Sequence, residues 1–145
     1  MTSDSVALVD TNILVYSYNQ LSPNYEKAKR FLEEDISNGN LVTSLQNLVE
    51  YYSVITNPKT PGHLSDTNLA KIQIEKWLGI FPKILVPQTQ TATTISALLK
   101  RFPVKGADIH DVHLAATMMD NNVKTIYTAD DKIFRQFKLK VINPL

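Results

Sequence analysis

The sequence predicts an α/β domain of three layers, with a central parallel five-stranded sheet flanked by helices. Two observations carry this. The opening run Val6-Ala7-Leu8-Val9 is apolar at every position and ends in Asp10, the pattern of a strand buried on both faces. Four more short apolar runs follow, each separated from the last by segments of helical period. Strands that alternate with helices pair in parallel.

Each element has its own signal. After Asp10, Thr11-Asn12 open a turn into the short apolar run Ile13-Leu14-Val15-Tyr16. Ser22-Pro23 reads as an N-cap followed by proline at N1, starting a helix that carries Ala28, Phe31, Leu32 and Ile36 inward and is stopped by Asn38-Gly39. Leu41-Val42-Thr43 is the second strand. Ser44 caps a helix with apolar positions Leu45, Leu48, Val49, Tyr52 and Ile55, ended by Asn57-Pro58. Lys59 to Leu64, containing Pro61-Gly62, reads as a mobile flap. Ser65 is expected to cap the next helix, with Leu69, Ile72, Ile74, Trp77 and Leu78 as its apolar positions. Ile84-Leu85-Val86 is the third strand. A helix through Ala92, Ile95, Leu98 and Leu99 ends near Pro103, and Gly106 breaks the chain before a helix from about Asp108 to Asn121. Thr125 to Thr128 is the fourth strand, Asp131 to Phe137 a short helix, and Leu139 to Ile142 the fifth strand.

With 145 residues, 43% hydrophobic and 20% charged, residues 1–145 form a single domain of ordinary globular composition. The absence of cysteine excludes disulfides and thiolate-held zinc or iron–sulfur centres. Residues 1–5 show neither a basic n-region nor an apolar h-region, and no run approaches the length of a membrane span, so a cytoplasmic protein without membrane attachment is expected. The net charge of +1 gives no bulk attraction to nucleic acid, so any such binding needs a local patch.

The chemistry is carried by acids. Asp10 and Asp130 each follow an apolar strand directly, at the edge where ligands bind in open α/β sheets. Asp111 sits in the first turn of a helix, with Asp108 three residues earlier, and Glu50 stands among Leu48, Val49, Tyr51 and Tyr52. Each has a plain structural alternative. Asp10, Asp108 and Asp130 would serve as helix caps, Asp111 as a partner for the helix dipole, and Glu50 as a solvent-facing residue. Taken together, acids after strands one and four and on two intervening helices can converge on one cleft. Clustered carboxylates repel unless a cation sits among them, and oxygen-only ligation suits Mg²⁺ or Mn²⁺. Such ions also grip phosphate oxygens, as phosphodiester hydrolysis requires.

Four segments, in this order, resemble the successive motifs of PIN-domain nucleases: Leu8-Val9-Asp10-Thr11-Asn12-Ile13-Leu14, Asn47-Leu48-Val49-Glu50, Asp111-Val112-His113-Leu114-Ala115-Ala116-Thr117 and Thr128-Ala129-Asp130. They span nearly the whole chain, and by size the likeness is to VapC-type toxins of toxin–antitoxin pairs. The resemblance implies a PIN-like fold and a metal-dependent endoribonuclease with Asp10, Glu50, Asp111 and Asp130 as its catalytic acids. Asp10, Asp111 and Asp130 would hold Mg²⁺ or Mn²⁺, with Thr11, Asn12, Thr128 and Asp108 in support. It also implies an RNA substrate, a homodimer and inhibition by a small antitoxin protein. A PIN-fold RNA-processing enzyme that is not a toxin, or a binding module without turnover, shares the same motifs. One departure concerns Phe134, which stands a residue further from the last acid than the family's aromatic often does. That leaves Asp130 or Asp131 as the closing acid; Asp130 is expected at the sheet edge and Asp131 turned away to cap the short helix.

Two rival classes lack their own signatures. A haloacid-dehalogenase phosphatase needs a second Asp where Asn12 stands, and a receiver domain needs an acid where the third strand runs out into Pro87-Gln88. His110 and His113 flank Asp111 without sharing its face. Lys100, Arg101, Lys105 and Lys132 are candidates for phosphate contacts. Tyrosines 16, 18, 25, 51 and 52 could stack bases but suit packing better.

Overall fold

The computed structural model describes residues 6–145. The leader reading made on residues 1–5 lies outside the described residues. The chain runs β1 (Ala7–Val9), α1 (Thr11–Tyr18), α2 (Tyr25–Ile36), β2 (Leu41–Ser44), α3 (Leu45–Thr56), α4 (Thr67–Ile80), β3 (Ile84–Leu85), α5 (Thr91–Arg101), α6 (Ile109–Asp120), β4 (Thr125–Tyr127) and β5 (Lys140–Ile142). Single 3₁₀ turns precede α6 (Gly106–Asp108) and β5 (Phe134–Gln136).

All five strands are parallel and lie in the order β3-β2-β1-β4-β5. The chain therefore builds outward from β1 in one direction, then returns to the other side of β1 for β4. The crevice between β1 and β4, where the winding reverses, is the expected ligand position of such a sheet.

Side-chain alternation along the strands builds two cores. Ala7 and Val9 of β1 and Leu41 of β2 face one layer with Ile13, Leu14, Leu32, Leu48, Tyr51 and Trp77. Leu8, Val42 and Ile126 face the opposite layer with Leu98, Val112, Leu114, Ala115 and Met118. Helices α1–α4 thus cover one face and α5–α6 the other, the three layers that the sequence predicts.

Several local expectations shift. Ser22 does not cap α2. Its hydroxyl accepts from the Asn24 backbone N–H in a turn, and the helix starts at Tyr25. Asp66, not Ser65, caps α4, through the Asn68 N–H at 2.9 Å. The inward stripe of α4 is Ala70 and Trp77, leaving Leu69, Ile72 and Leu78 exposed. In α3, Leu45 and Val49 likewise point out, and Asn47, Leu48, Tyr51 and Ile55 point in. Ile74 and Ile80 pack partly buried beside Trp77 on the same core.

The Lys59–Leu64 flap is tied down rather than free. Asn19 Nδ2 donates to the Pro61 carbonyl at 2.9 Å, and the Leu64 N–H bonds to the Ile55 carbonyl. Gly62 has φ +79°, a backbone conformation that favours glycine, and a Cβ there would meet Asn19 Oδ1 at 2.8 Å and displace that amide.

Candidate active site

Asp10 leaves the end of β1 and is almost completely buried, at 9% exposure. Both of its oxygens are held. Oδ1 accepts the Thr11 N–H at 2.8 Å and Asn47 Nδ2 at 3.1 Å, and Oδ2 accepts the Thr128 hydroxyl at 2.8 Å. The cap reading and the site reading of Asp10 are therefore both true, since its bond to Thr11 also closes the first turn of α1. Burial raises the Asp10 carboxyl above the ordinary range and the charge of Glu50 adds to that, while the three hydrogen bonds work in the opposite direction.

Thr128 is the hub on the β4 side. It is fully buried, donates to Asp10, and accepts from Asn12 Nδ2 at 3.2 Å and from the Asp130 N–H at 3.1 Å. Asn12 also accepts the Ala129 N–H at 3.2 Å. One side chain from α1 thereby fixes the loop that carries Asp130.

Glu50, one and a half turns into α3, faces the same space. Thr11 Oγ1 donates to its Oε2 at 3.0 Å, and Gln46 Nε2 donates to its Oε1 at 3.1 Å. Asp111, on the first turn of α6, approaches from the opposite layer. Burial pushes its carboxyl up to about 6, and the charges of Asp10, Asp130, Glu50 and Asp108 add to the effect. Asp10, Glu50, Asp111 and Asp130 line one cleft of about 340 Å³ with Thr11, Asn12, Tyr16 and Phe134. A second, more apolar cavity of about 660 Å³ adjoins it at Thr11, Glu50 and Val54 and runs past Leu45, Val49, Pro87, His110 and His113.

The donor set is oxygen only, and it gathers negative charge with no Lys or Arg lining the cleft. That suits a hard divalent cation. Among the described residues, no three Asp, Glu or His side chains close on one point. As they stand, the acids can offer at most two direct ligands to one ion, with water completing the shell, as Mg²⁺ commonly accepts.

The other candidates divide. Asp108 ends the 3₁₀ turn, is exposed, caps nothing with its side chain, and lies outside the cleft. Asp131 does not cap the short helix by its side chain. It forms an ion pair with Arg135 at 2.7 Å, pointing away from the acids, which leaves Asp130 as the fourth member. Phe134 is buried and lines the cleft despite its unusual spacing. Thr91 and Thr94, early in α5, bond to Asp120 at the end of α6, so these helices are antiparallel. Lys100 and Arg101 therefore lie toward the Asp111 end, but they, Lys105 and Lys132 are exposed and outside the cleft. His113 contacts the Gln46 side chain, and neither it nor His110 bonds to a carboxylate.

Two residues of this network had no role assigned from sequence. Asn47 is fully buried and donates to both Asp10 and Thr11. Its own oxygen accepts the Ser44 hydroxyl at 2.6 Å. Gln46 is the other. An Asn between Gln46 and Leu48 looks like an ordinary helical polar position, and only the seating of α3 on β1 turns it inward.

Comparison with known proteins agrees with this fold. Residues 7–139 match the PIN domain family. Ribonuclease VapC48 of Mycobacterium tuberculosis is 29% identical over 134 residues, covering 89% of this chain and 90% of that protein. The crystal structure of FitAcB from Neisseria gonorrhoeae aligns with a TM-score of 0.70 at 22% identity, covering 96% of this chain and 98% of the other. That of M. tuberculosis VapC20, described as a sarcin–ricin loop cleaving toxin, aligns at 0.68 with 15% identity, covering 92% and 98%. With the match extending over nearly all of its length, this chain belongs to the PIN domain family.

Proposed function

We propose that this protein is a Mg²⁺- or Mn²⁺-dependent endoribonuclease, the toxin of a toxin–antitoxin pair. The observation that carries the reading is the convergence of Asp10, Glu50, Asp111 and Asp130 on one cleft that no cationic side chain lines. The likeness to Ribonuclease VapC48 supports the same activity.

The chain's own residues have distinct tasks in this reading. Asp10, Asp111 and Asp130 would hold the ion between them, with water supplying the contacts that the side chains do not make directly. Thr128 and Asn47 keep Asp10 from rotating away as charge is neutralised. Glu50, with both oxygens oriented, accepts a proton from the attacking water. When bound, the ion supplies Lewis acidity to the scissile phosphodiester. Lys100, Arg101 and Lys105 lie toward the same end of the molecule and guide the RNA backbone from outside the cleft. The exposed Leu45 and Val49 on α3 and Val86 after β3 offer apolar surface for a homodimer contact. Binding by a small antitoxin protein belongs to the same reading, as does action in the cytoplasm. Among the described residues no helix is long and apolar enough to cross a membrane.

The test is cleavage of mixed RNA by the purified chain with Mg²⁺, with excess EDTA, and by Asp10→Asn. Cleavage is expected with the ion alone, lost in EDTA and lost in the variant, leaving 5′-phosphate and 3′-hydroxyl ends. Activity that survives chelation, or 2′,3′-cyclic phosphate products, refutes the metal reading. Growth arrest on expression, relieved by a co-expressed partner, is the expected result for a toxin. A harmless chain with no co-purifying partner would instead be an RNA-processing or binding protein.

A further inference from the structure

Among the described residues, the amide of Gln46 is the one side chain that bonds elements from both layers over the carboxyl edge of the sheet beside the acids. It lies in the first turn of α3, one helical turn before Glu50. Its Nε2 donates to Glu50 Oε1 at 3.1 Å and to the backbone carbonyl of His110 in α6 at 2.7 Å, while its Oε1 meets His113 Nδ1. Helix α3 belongs to one face of the sheet and α6 to the other.

The orientation of this amide is determined by its partners. Two acceptors, a carbonyl and a carboxylate, face one end, so the NH₂ must lie there. The reversed amide would set its oxygen against both. The oxygen therefore faces His113, which donates through Nδ1. Within α3 alone, a Gln–Glu pair one turn apart would be a minor helix stabiliser. Reaching His110 and His113, 64 and 67 residues away, is not something helix formation needs.

We propose that Gln46 is a positioning residue for the nuclease, holding Glu50 and the first turn of α6 in fixed relation. Its purpose follows from the charges. Glu50 and Asp111 are like charges lining one cleft that no cationic side chain enters, so they repel each other. Thr11 restrains only one Glu50 oxygen, so without Gln46 the carboxylate is free to swing toward solvent and the α6 turn loses its tie to α3. The proposal rests on the nuclease reading above.

The test uses the full chain with Gln46→Met, which keeps the length of the side chain and removes every bond, and Gln46→Glu, which keeps the shape and turns the donor into an acceptor. Binding of Mn²⁺ alone is read by electron paramagnetic resonance, cleavage by kcat and KM, and folding by thermal melting. Gln46→Met is expected to weaken Mn²⁺ binding about tenfold and to lower kcat by about the same factor, with KM for RNA unchanged. Gln46→Glu should be worse on both counts. In a Glu50→Gln background at saturating Mn²⁺, which removes any effect on ion binding through the α6 turn, adding Gln46→Met should cost kcat no more than about twofold, because what remains acts through Glu50. Parental Mn²⁺ affinity and kcat in Gln46→Met overturn the proposal, as does a full tenfold loss of kcat in the Glu50→Gln background. If the parent protein neither binds Mn²⁺ nor cleaves RNA, the nuclease reading itself falls, which is a different result from an active parent indifferent to Gln46.

Discussion

The two walls of the acidic cleft are built on opposite plans. Asp10 is buried and receives three hydrogen bonds from Thr11, Asn47 and Thr128, all themselves buried. Asp130 is exposed and is placed through its backbone, by the N–H bond to Thr128, and its carboxylate takes no hydrogen bond from the described residues. Asp111 lies between, half-buried and without a hydrogen-bond donor in the described network, its carboxyl pushed up to about 6. The site thus pairs a rigid anchor with two acids held less tightly. Charge on the rigid side is stabilised by neutral donors, and charge on the open side is what the proposed ion would neutralise.

The largest expected effect comes from breaking the open wall. Asp130→Asn should reduce RNA cleavage by about 10²-fold through lost metal positioning, with little change in melting temperature because the side chain supports nothing else. Parental kcat in this variant would leave the site with three acids.

Breaking the rigid wall should instead show as instability. Thr128→Val leaves Asp10 Oδ2 without its donor in a buried setting and removes the acceptor for Asn12 and for the Asp130 N–H. Urea unfolding of the metal-free chain should report a loss of about 2 kcal/mol. Equal stability would mean that water replaces the hydroxyl.

The third effect is a pH dependence of the metal-free protein. The Asp111 carboxyl lies at about 6 when folded against an ordinary 3.8, so the folded chain binds more protons between those values. Its contribution to stability is complete below the lower value and is lost as the pH rises through the upper one. For a half-exposed group, solvent screening leaves about 1 kcal/mol of loss between pH 5 and pH 7.5. Saturating Mn²⁺ or Asp111→Asn should flatten that slope, and a slope unaltered in the variant would assign it to other groups. The smallest effect is assigned to Asp131→Asn, which breaks an exposed ion pair with Arg135 and should leave cleavage within twofold of the parent.

This contrast also separates what the sequence discloses from what it hides. Asp10 was legible because it directly follows an apolar strand; Asp130 was expected to do the same, but β4 stops at Tyr127 and Asp130 stands in the loop three residues on, brought to the cleft by the Thr128 turn. The all-parallel sheet follows from the alternation of strands and helices. Glu50 and Asp111 were legible chiefly through motif order. Asn47 and Gln46 were not, since a polar residue on a helix declares nothing about its partners until α3 is seated against β1 and α6. The phase of α4 was misjudged for a related reason. Leu69, Ile72 and Leu78 look like core residues, yet Trp77 and Ala70 take the inward face and Phe81 follows at the helix end.

The bond between Thr128 and Asp10 spans 118 residues of a 145-residue chain, and it governs the order in which activity can appear. At usual translation rates of 5–20 residues per second, Asp10 waits about 6–24 s before its last donor is even synthesised. Until β4 has docked beside β1, the first acid has neither its full set of donors nor the company of Asp130. A ribosome must accordingly have passed residue 130 before the nascent chain can assemble the four-acid cleft.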